Sequence, residues 1–273
     1  MKITILVDNN HLRDDLEVKQ AFSAIIEDED KKFLFDTGMQ GEVIGNADKL
    51  GVDLSNLDYL VFSHGHSDHT GGSRNVLIPY LNRTKKPKIL ACSGFFNQRR
   101  KIYPTIEEIG SNDLETFMKT NFEVILMEQP HRLTNNLIFL GKIERTIDFE
   151  GKNSLGEVKM PSGEYVDDYI DDDTAMAYDS KHGLIVISPC AHSGICNTVK
   201  YAQKIMGKNK MTDVIAGTHL KDASNELIEK TIETLRKMGV NRAHFCHCTG
   251  KAMGHIKTLM NCENTGSGLV LEY

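Results

Sequence analysis

The chain has 273 residues, 40% of them apolar, with 32 Lys and Arg against 38 Asp and Glu and a net charge of −6. That composition suits one folded α/β unit over residues 1–273 and argues against intrinsic disorder. It disfavours a nucleic-acid coat, which needs excess basic charge, and no apolar run approaches the roughly 20 residues of a membrane helix.

The first predicted strand is Lys2–Val7, too short and too polar at Asp8 for a signal peptide, so a cytoplasmic location is expected. Val18–Glu27 and Lys32–Phe35 follow across the charged turn Asp28-Glu29-Asp30, an opening meander. A helix is predicted from about Gln40 to Leu50, with Gly51 as a left-handed C-cap. Leu57–Phe62 is a buried strand that delivers the chain to His64, and Lys88–Ala91, Phe122–Met127 and Leu137–Leu140 are further strands. Gly141–Asp171 has no clean period, which fits either a functional lid or a hairpin insertion. Thr174–Asp179 and Leu184–Ser188 pair across Ser180-Lys181-His182-Gly183, and a helix runs from Gly194 to about Met206. The strand Asp213–Ala216 ends at Gly217-Thr218-His219-Leu220. The next helix starts at Asp222 or Ser224, both good N-caps, and stops at Gly239. Ala243–Cys246 runs into His247, and a last helix covers about Gly250–Met260. A meander followed by alternating strands and helices predicts an α/β sandwich of two mixed sheets with helices outside.

The six cysteines (Cys92, Cys190, Cys196, Cys246, Cys248, Cys262) form no CxxC pair, and free thiols are expected. The histidines carry more. In Ser63-His64-Gly65-His66-Ser67-Asp68-His69-Thr70-Gly71-Gly72, three imidazoles and a carboxylate fall within six residues, directly after an apolar strand. Gly65 lets the turn bring His64 and His66 to one point, while Asp68 and His69 open a helix facing a second. Imidazole and carboxylate suit borderline divalent metals such as Zn, Fe or Mn. Two such ions, about 3.5–4 Å apart, activate water and clamp a phosphate.

This segment is similar to the HxHxDH signature of the metallo-β-lactamase superfamily. Phe33-Leu34-Phe35-Asp36-Thr37-Gly38 looks like that superfamily's first motif, in which Asp36 supports the histidine loop without ligating. The resemblance covers nearly the whole chain and implies an αββα sandwich holding two divalent transition metals, zinc foremost. It implies His64, His66, Asp68 and His69 as ligands, and His247, in Phe245-Cys246-His247-Cys248-Thr249-Gly250, as a ligand from the last motif. Ser188-Pro189-Cys190-Ala191-His192-Ser193-Gly194 departs from the pattern, because Cys190 stands where the superfamily places a bridging aspartate. His192 is expected as a ligand. Cys190 is either a ligand or a small buried hydrophobe. The superfamily's third-motif histidine is missing, and Asp171-Asp172-Asp173 occupies its place. Asp173 is an outside ligand candidate, and a solvated turn is the simpler reading of that run.

Pro189–Ile195, Gly217–Leu220, His247–Gly250 and Val7-Asp8-Asn9 together resemble the dihydropterin synthase-like branch. That resemblance implies a small phosphorylated substrate and transfer of a dihydropterin methyl group from diphosphate to an aminobenzene. His219 is then a candidate acid or base beside Asp68, and Lys221, Arg99 and Arg100 are candidate substrate contacts. Phe95 and Phe96 could hold a ring beside that basic run, although a solvated basic face is the simpler reading. A plain metal-dependent hydrolase or phosphoesterase is the alternative. An RNA-processing nuclease is disfavoured by the acidic balance, and a flavodiiron reductase by His66 in place of a carboxylate. A metal-holding sensor or scaffold is disfavoured by the intact histidine set.

Overall fold

The computed structural model describes residues 1–273. Its strands are β1 (Lys2–Val7), β2 (Ser23–Asp28), β3 (Lys31–Phe35), β4 (Tyr59–Val61), β5 (Lys88–Ala91), β6 (Arg99–Lys101), β7 (Glu107–Glu108), β8 (Val124–Leu126) and β9 (His131–Arg132). They continue with β10 (Leu137–Phe139), β11 (Glu157–Lys159), β12 (Tyr165–Asp167), β13 (Met176–Ser180), β14 (Gly183–Ser188), β15 (Met211–Gly217), β16 (Arg242–Cys246), β17 (Asn261–Cys262) and β18 (Val270–Glu272). The helices are α1 (Glu42–Leu50), α2 (Ser67–Thr70), α3 (Ser73–Leu77), α4 (Glu115–Asn121), α5 (Ile195–Met206), α6 (Asn225–Lys237) and α7 (Met253–Leu259).

Two seven-stranded sheets face each other, ordered β18-β1-β2-β3-β4-β5-β8 and β17-β16-β15-β14-β13-β10-β9. Alternation along the strands builds three apolar layers. Phe33 and Phe35 of β3 pack between the sheets against Phe139, Met176, Ile185 and Ile187. Leu34, between them in sequence, turns outward to join Val43 and Ala47 of α1 and Val76 of α3. On the far side, Val214, Ala216 and Phe245 pack under Ile195 and Val199 of α5, Ile228 and Ile232 of α6 and Ile256 of α7. This is the αββα sandwich expected from the sequence.

Helix boundaries follow local chemistry. Gly51 takes the left-handed C-cap of α1, and the Ser224 hydroxyl accepts the Leu227 N–H to start α6. Some expectations fail. Residues 18–22 are not strand, because the Lys19 and Phe22 N–H groups donate to the carbonyls of Asp8 and Asp68 rather than to a neighbouring strand. The helix expected over Gly250–Met260 is split at Gly250, whose φ of 51° and ψ of −135° break a single-turn 3₁₀ segment from α7. The aperiodic stretch 141–171 contains the hairpin β11–β12, which joins β6 and β7 in a third, four-stranded sheet in the order β12-β11-β6-β7.

In both large sheets the parallel strands β3–β4–β5 and β14–β15–β16 point their C-terminal ends the same way within each sheet. The loops that follow them carry the polar residues described next.

Candidate metal centre

His64 and His66 leave β4 on an extended turn that runs straight into α2, which carries Asp68 and His69. Gly65 matters there through close approach, since a Cβ on it would collide with the Phe95 carbonyl oxygen and lie 2.5 Å from Arg99 Nη1. The glycine expected to let the turn bend serves through this space, and its φ is not positive. The loop is braced by Asp36, which is fully buried. Its Oδ1 accepts the Ser63 N–H at 2.8 Å, and its Oδ2 accepts the Ser63 hydroxyl at 2.7 Å and His69 Nδ1 at 2.7 Å.

The tautomers follow from these partners. His69 Nδ1 donates to Asp36. His64 Nδ1, 2.9 Å from the Ser63 oxygen, donates to that oxygen because the hydroxyl proton is committed to Asp36. His247 Nδ1 donates to Asn9 Oδ1 at 3.0 Å, and the His247 N–H donates to Asp8 Oδ1 at 2.8 Å. Each of the three rings therefore presents a bare Nε2. His64 Nε2 faces His192 Nε2 at 3.1 Å, and His69 Nε2 faces His247 Nε2 at 3.2 Å. The buried His66 Nε2 has no hydrogen-bond partner at all.

The bare Nε2 atoms of His69 and His247 at that range, and the unpartnered His66 Nε2, call for a cation. A tetrahedral ion with metal–nitrogen bonds of about 2.0–2.1 Å spaces its ligand atoms by about 3.3–3.4 Å. The donors sort into two triads, His64–His66–His192 and Asp68–His69–His247, with all ligand atoms of each within 4.8 Å of one another. The residues present fit two divalent ions.

Electrostatics agree with that fit. Burial drives His66 down to about 3 and holds His64 and His192 well below the usual imidazole range, so all three are neutral donors. Burial would also raise Asp68, but its interactions with His69 and His247 outweigh it and lower it, so the carboxylate is ionised. Burial would lower His69 too, yet Asp68 and Asp36 win and raise it, a local excess of negative charge that suits a cation.

A cavity of about 660 Å³ opens over these groups. His66, Asp68, His192 and His247 line it, together with Cys190, Cys248, His219 and Lys221. Phe149, Leu155, Ile195 and Leu220 form an apolar wall, and Lys101 and Tyr103 reach it from the small sheet. The His219 ring lies 4.6 Å from that of His192, and burial, helped by Lys221, lowers it to about 4. Four non-glycine residues around the site, Asp36, Ala191, His219 and His247, have positive φ between 39° and 59°. Such backbone costs of order 1–3 kcal/mol each and clusters where geometry serves function.

Three expectations are corrected here. Arg99 is no substrate contact: it is 1% exposed, with its Nε 2.7 Å from Asp168 Oδ2 and its Nη2 2.6 Å from Asp172 Oδ1. Arg100 points away from the cavity, paired with Glu157 at 2.7 Å and stacked over Tyr165 at 3.6 Å. Phe95 and Phe96 are core residues rather than a ring clamp. Of the acidic run only Asp171 is an exposed turn residue. Asp172 and Asp173 are each 1% exposed. Asp172 accepts the Gly65 N–H at 2.9 Å, and Asp173 accepts the Ser193 N–H at 2.7 Å, outside both triads. The roles of Ser63, Asp172, Asn9 and Cys248 were missed. Ser63 adjoins the motif and Cys248 adjoins His247, so adjacency was the available signal for both.

Comparison with known proteins follows from this geometry. Residues 16–128 match the family model described as the metallo-beta-lactamase superfamily. The chain is 35% identical over 229 residues to the 7,8-dihydropterin-6-methyl-4-(beta-D-ribofuranosyl)-aminobenzene-5'-phosphate synthase of Methanocaldococcus jannaschii, covering 81% of this chain and 76% of that one. An uncharacterised protein of the same organism is 27% identical over 262 residues, 95% of each chain. The crystal structure of a metal-dependent hydrolase of the beta-lactamase superfamily superposes with a TM-score of 0.82 at 26% identity, covering 100% of this chain and 99% of that one.

Proposed function

This chain belongs to the metallo-β-lactamase superfamily of metal-dependent enzymes, and on that premise we propose that it acts at a dinuclear centre on a substrate bearing a phosphate or diphosphate. The observation that carries the reading is the pair of donor triads opening onto one cavity that also holds Lys221 and an apolar wall. His64, His66 and His192 hold one ion, and Asp68, His69 and His247 the other. Bound there, divalent ions polarise a phosphoryl oxygen and neutralise the charge of a departing diphosphate.

The chain's own groups do the rest. Lys221 meets an anionic oxygen at the cavity wall. Phe149, Leu155 and Ile195 take a flat ring and exclude water from it. His219, neutral near pH 7, accepts the proton that the incoming acceptor gives up. The likeness to the archaeal synthase favours transfer of a dihydropterinylmethyl group from diphosphate to the amine nitrogen of an aminobenzene. The carbon–oxygen bond to diphosphate breaks, a carbon–nitrogen bond to the amine forms, diphosphate departs, and the amine proton passes to His219. The second reading is hydrolysis, favoured by the structural neighbour described as a hydrolase.

The test offers a dihydropterin diphosphate with and without the aminobenzene acceptor and follows diphosphate release. Acceptor-dependent release supports transfer, and acceptor-independent release supports hydrolysis. If neither occurs with metal bound, the pterin reading fails. His219→Ala is expected to keep its metal and fold while turnover falls about 10²–10⁴-fold. Unchanged turnover would make His219 structural.

A further inference from the structure

One side chain belongs to neither triad and touches both. Cys190 leaves the end of β14, is 3% exposed, and lines the cavity. Its Sγ lies within 4.8 Å of donor nitrogens of His64 and His192 on one side and of His69 and His247 on the other. No other residue stands in three of the five donor groupings of the structure.

Its only sulfur neighbour is organised around it. Cys248 Sγ lies 3.3 Å from Cys190 Sγ and accepts the backbone N–H of His219 at 3.2 Å. The seat is cut to fit, because a Cβ on Gly217 at the end of β15 would lie 2.8 Å from Cys248 Sγ. The Cys190 thiol donates to Cys248 Sγ, and the Cys248 thiol lies 3.6 Å from the Cys190 carbonyl oxygen that accepts from it.

We propose that Cys190 is the thiolate that bridges the two metal ions, with Cys248 packed beside it. The proposal rests on the dinuclear reading above and adds its central ligand. Metal–sulfur bonds of about 2.3 Å to ions about 3.5–4 Å apart give an angle at sulfur of about 100–120°, which a thiolate accommodates. The step is a simple exchange. The Cys190 S–H bond breaks, sulfur–metal bonds form, and the proton passes to the buffer with no change of oxidation state. Asp68 and Cys190 then supply the two negative ligands of two dications, so two positive charges remain to attract an anionic substrate. Sulfur at the bridge also biases the site toward thiophilic ions such as Zn or Co and away from Mg or Mn.

The experiment loads metal-free full-length protein with Co(II), counts bound cobalt by elemental analysis, and records near-ultraviolet sulfur-to-cobalt charge transfer. Wild type is expected to bind two ions and show the band. Cys190→Ser is expected to lose the band, and the control Cys262→Ser, a buried thiol outside the cavity lining, to keep it. Cys190→Asp is expected to bind two ions without the band and to release one proton fewer than wild type on loading, read with a pH indicator. Two bound cobalt ions without charge transfer in wild type would overturn the bridge and leave the dinuclear reading intact. A band that survives Cys190→Ser but not Cys248→Ser would overturn it in favour of Cys248. No bound cobalt would overturn both readings. If Cys190→Ser fails to fold, the wild-type spectrum and the proton count of Cys190→Asp still decide.

Discussion

His64, His69 and His247 can each present Nε2 only because a neighbour holds the other nitrogen's proton: Ser63, Asp36 and Asn9 respectively. These partners differ in how visible they are. Asp36 and Ser63 lie within the quoted motifs: the resemblance implies the supporting role of Asp36, while that of Ser63 was missed although it adjoins His64. Asn9 meets His247 across 238 positions, and no local pattern links a polar residue after the first strand to an imidazole near the last. Asn9→Ala is therefore expected to weaken metal binding about 10–100-fold with little change in fold, the usual size of an effect on a ligand's orienting partner. Competition against a chromophoric chelator measures it. Unchanged affinity would mean that the Asp8 contact alone orients the ring. Buried Arg99 is the reverse case, because its sequence, among Arg100 and Lys101, reads as a solvated basic face. Only the distant carboxylates Asp168 and Asp172 take it inside.

Among the elements, the small sheet was the least legible. Glu107–Glu108 is two exposed acids and Arg99–Lys101 three basic residues, so neither carries an apolar period. What fixes them is pairing with β11 and the buried Arg99 knot, both non-local. Arg99→Leu leaves two buried carboxylates without their cation and is expected to cost about 3–5 kcal/mol of stability. Arg100→Ala, at a half-exposed pair, is expected to cost under about 1 kcal/mol. Urea denaturation distinguishes them, and equal effects would refute the assignment of Arg99 to the core. A second element-level device sits at the start of α5, where Glu150 accepts the N–H groups of Cys196 and Asn197. Burial pushes its carboxyl up to about 7 from an ordinary 4.5. Between those values the folded state holds more protons than the unfolded one, so stability falls as pH rises through the window. The loss approaches about 3 kcal/mol by pH 8. In metal-free protein the lowered imidazoles of His64, His66, His192 and His219 tilt stability the other way, so the readout is a difference: the melting temperature of Glu150→Gln is expected to gain on that of wild type from pH 5 to pH 8. Asp173, raised to about 6 by burial, acts in the same sense as Glu150 in both proteins. An unaltered slope would show that Glu150 titrates normally.

At the scale of the molecule the sandwich was legible because its strands are apolar and alternate, and because the centre's densest motif follows one of them directly. The meeting of the two triads was not, since it depends on loops from both sheets converging. That convergence makes the ions a cross-sheet tie. His64, His66, Asp68 and His69 follow a strand of the first sheet, while His192 and His247 follow strands of the second. Zinc at 100 times its dissociation constant is expected to stabilise the fold by about 2.7 kcal/mol, and chelation to remove that gain. Scanning calorimetry with and without a chelator reads it, and identical melting would mean that the sites do not form in the folded state. The same convergence governs when the centre can exist during synthesis. His64 is made 128 residues before His192, and His69 178 residues before His247. At about 5–20 residues per second the nascent chain shows half of each site for about 6–36 seconds before its other half is made. The first sheet, too, lacks its edge until Val270–Glu272 pairs with β1. Neither ion can therefore be held by its full set of ligands until the second sheet's histidines have emerged, so the metal is selected late, from the pool that meets a largely formed sandwich.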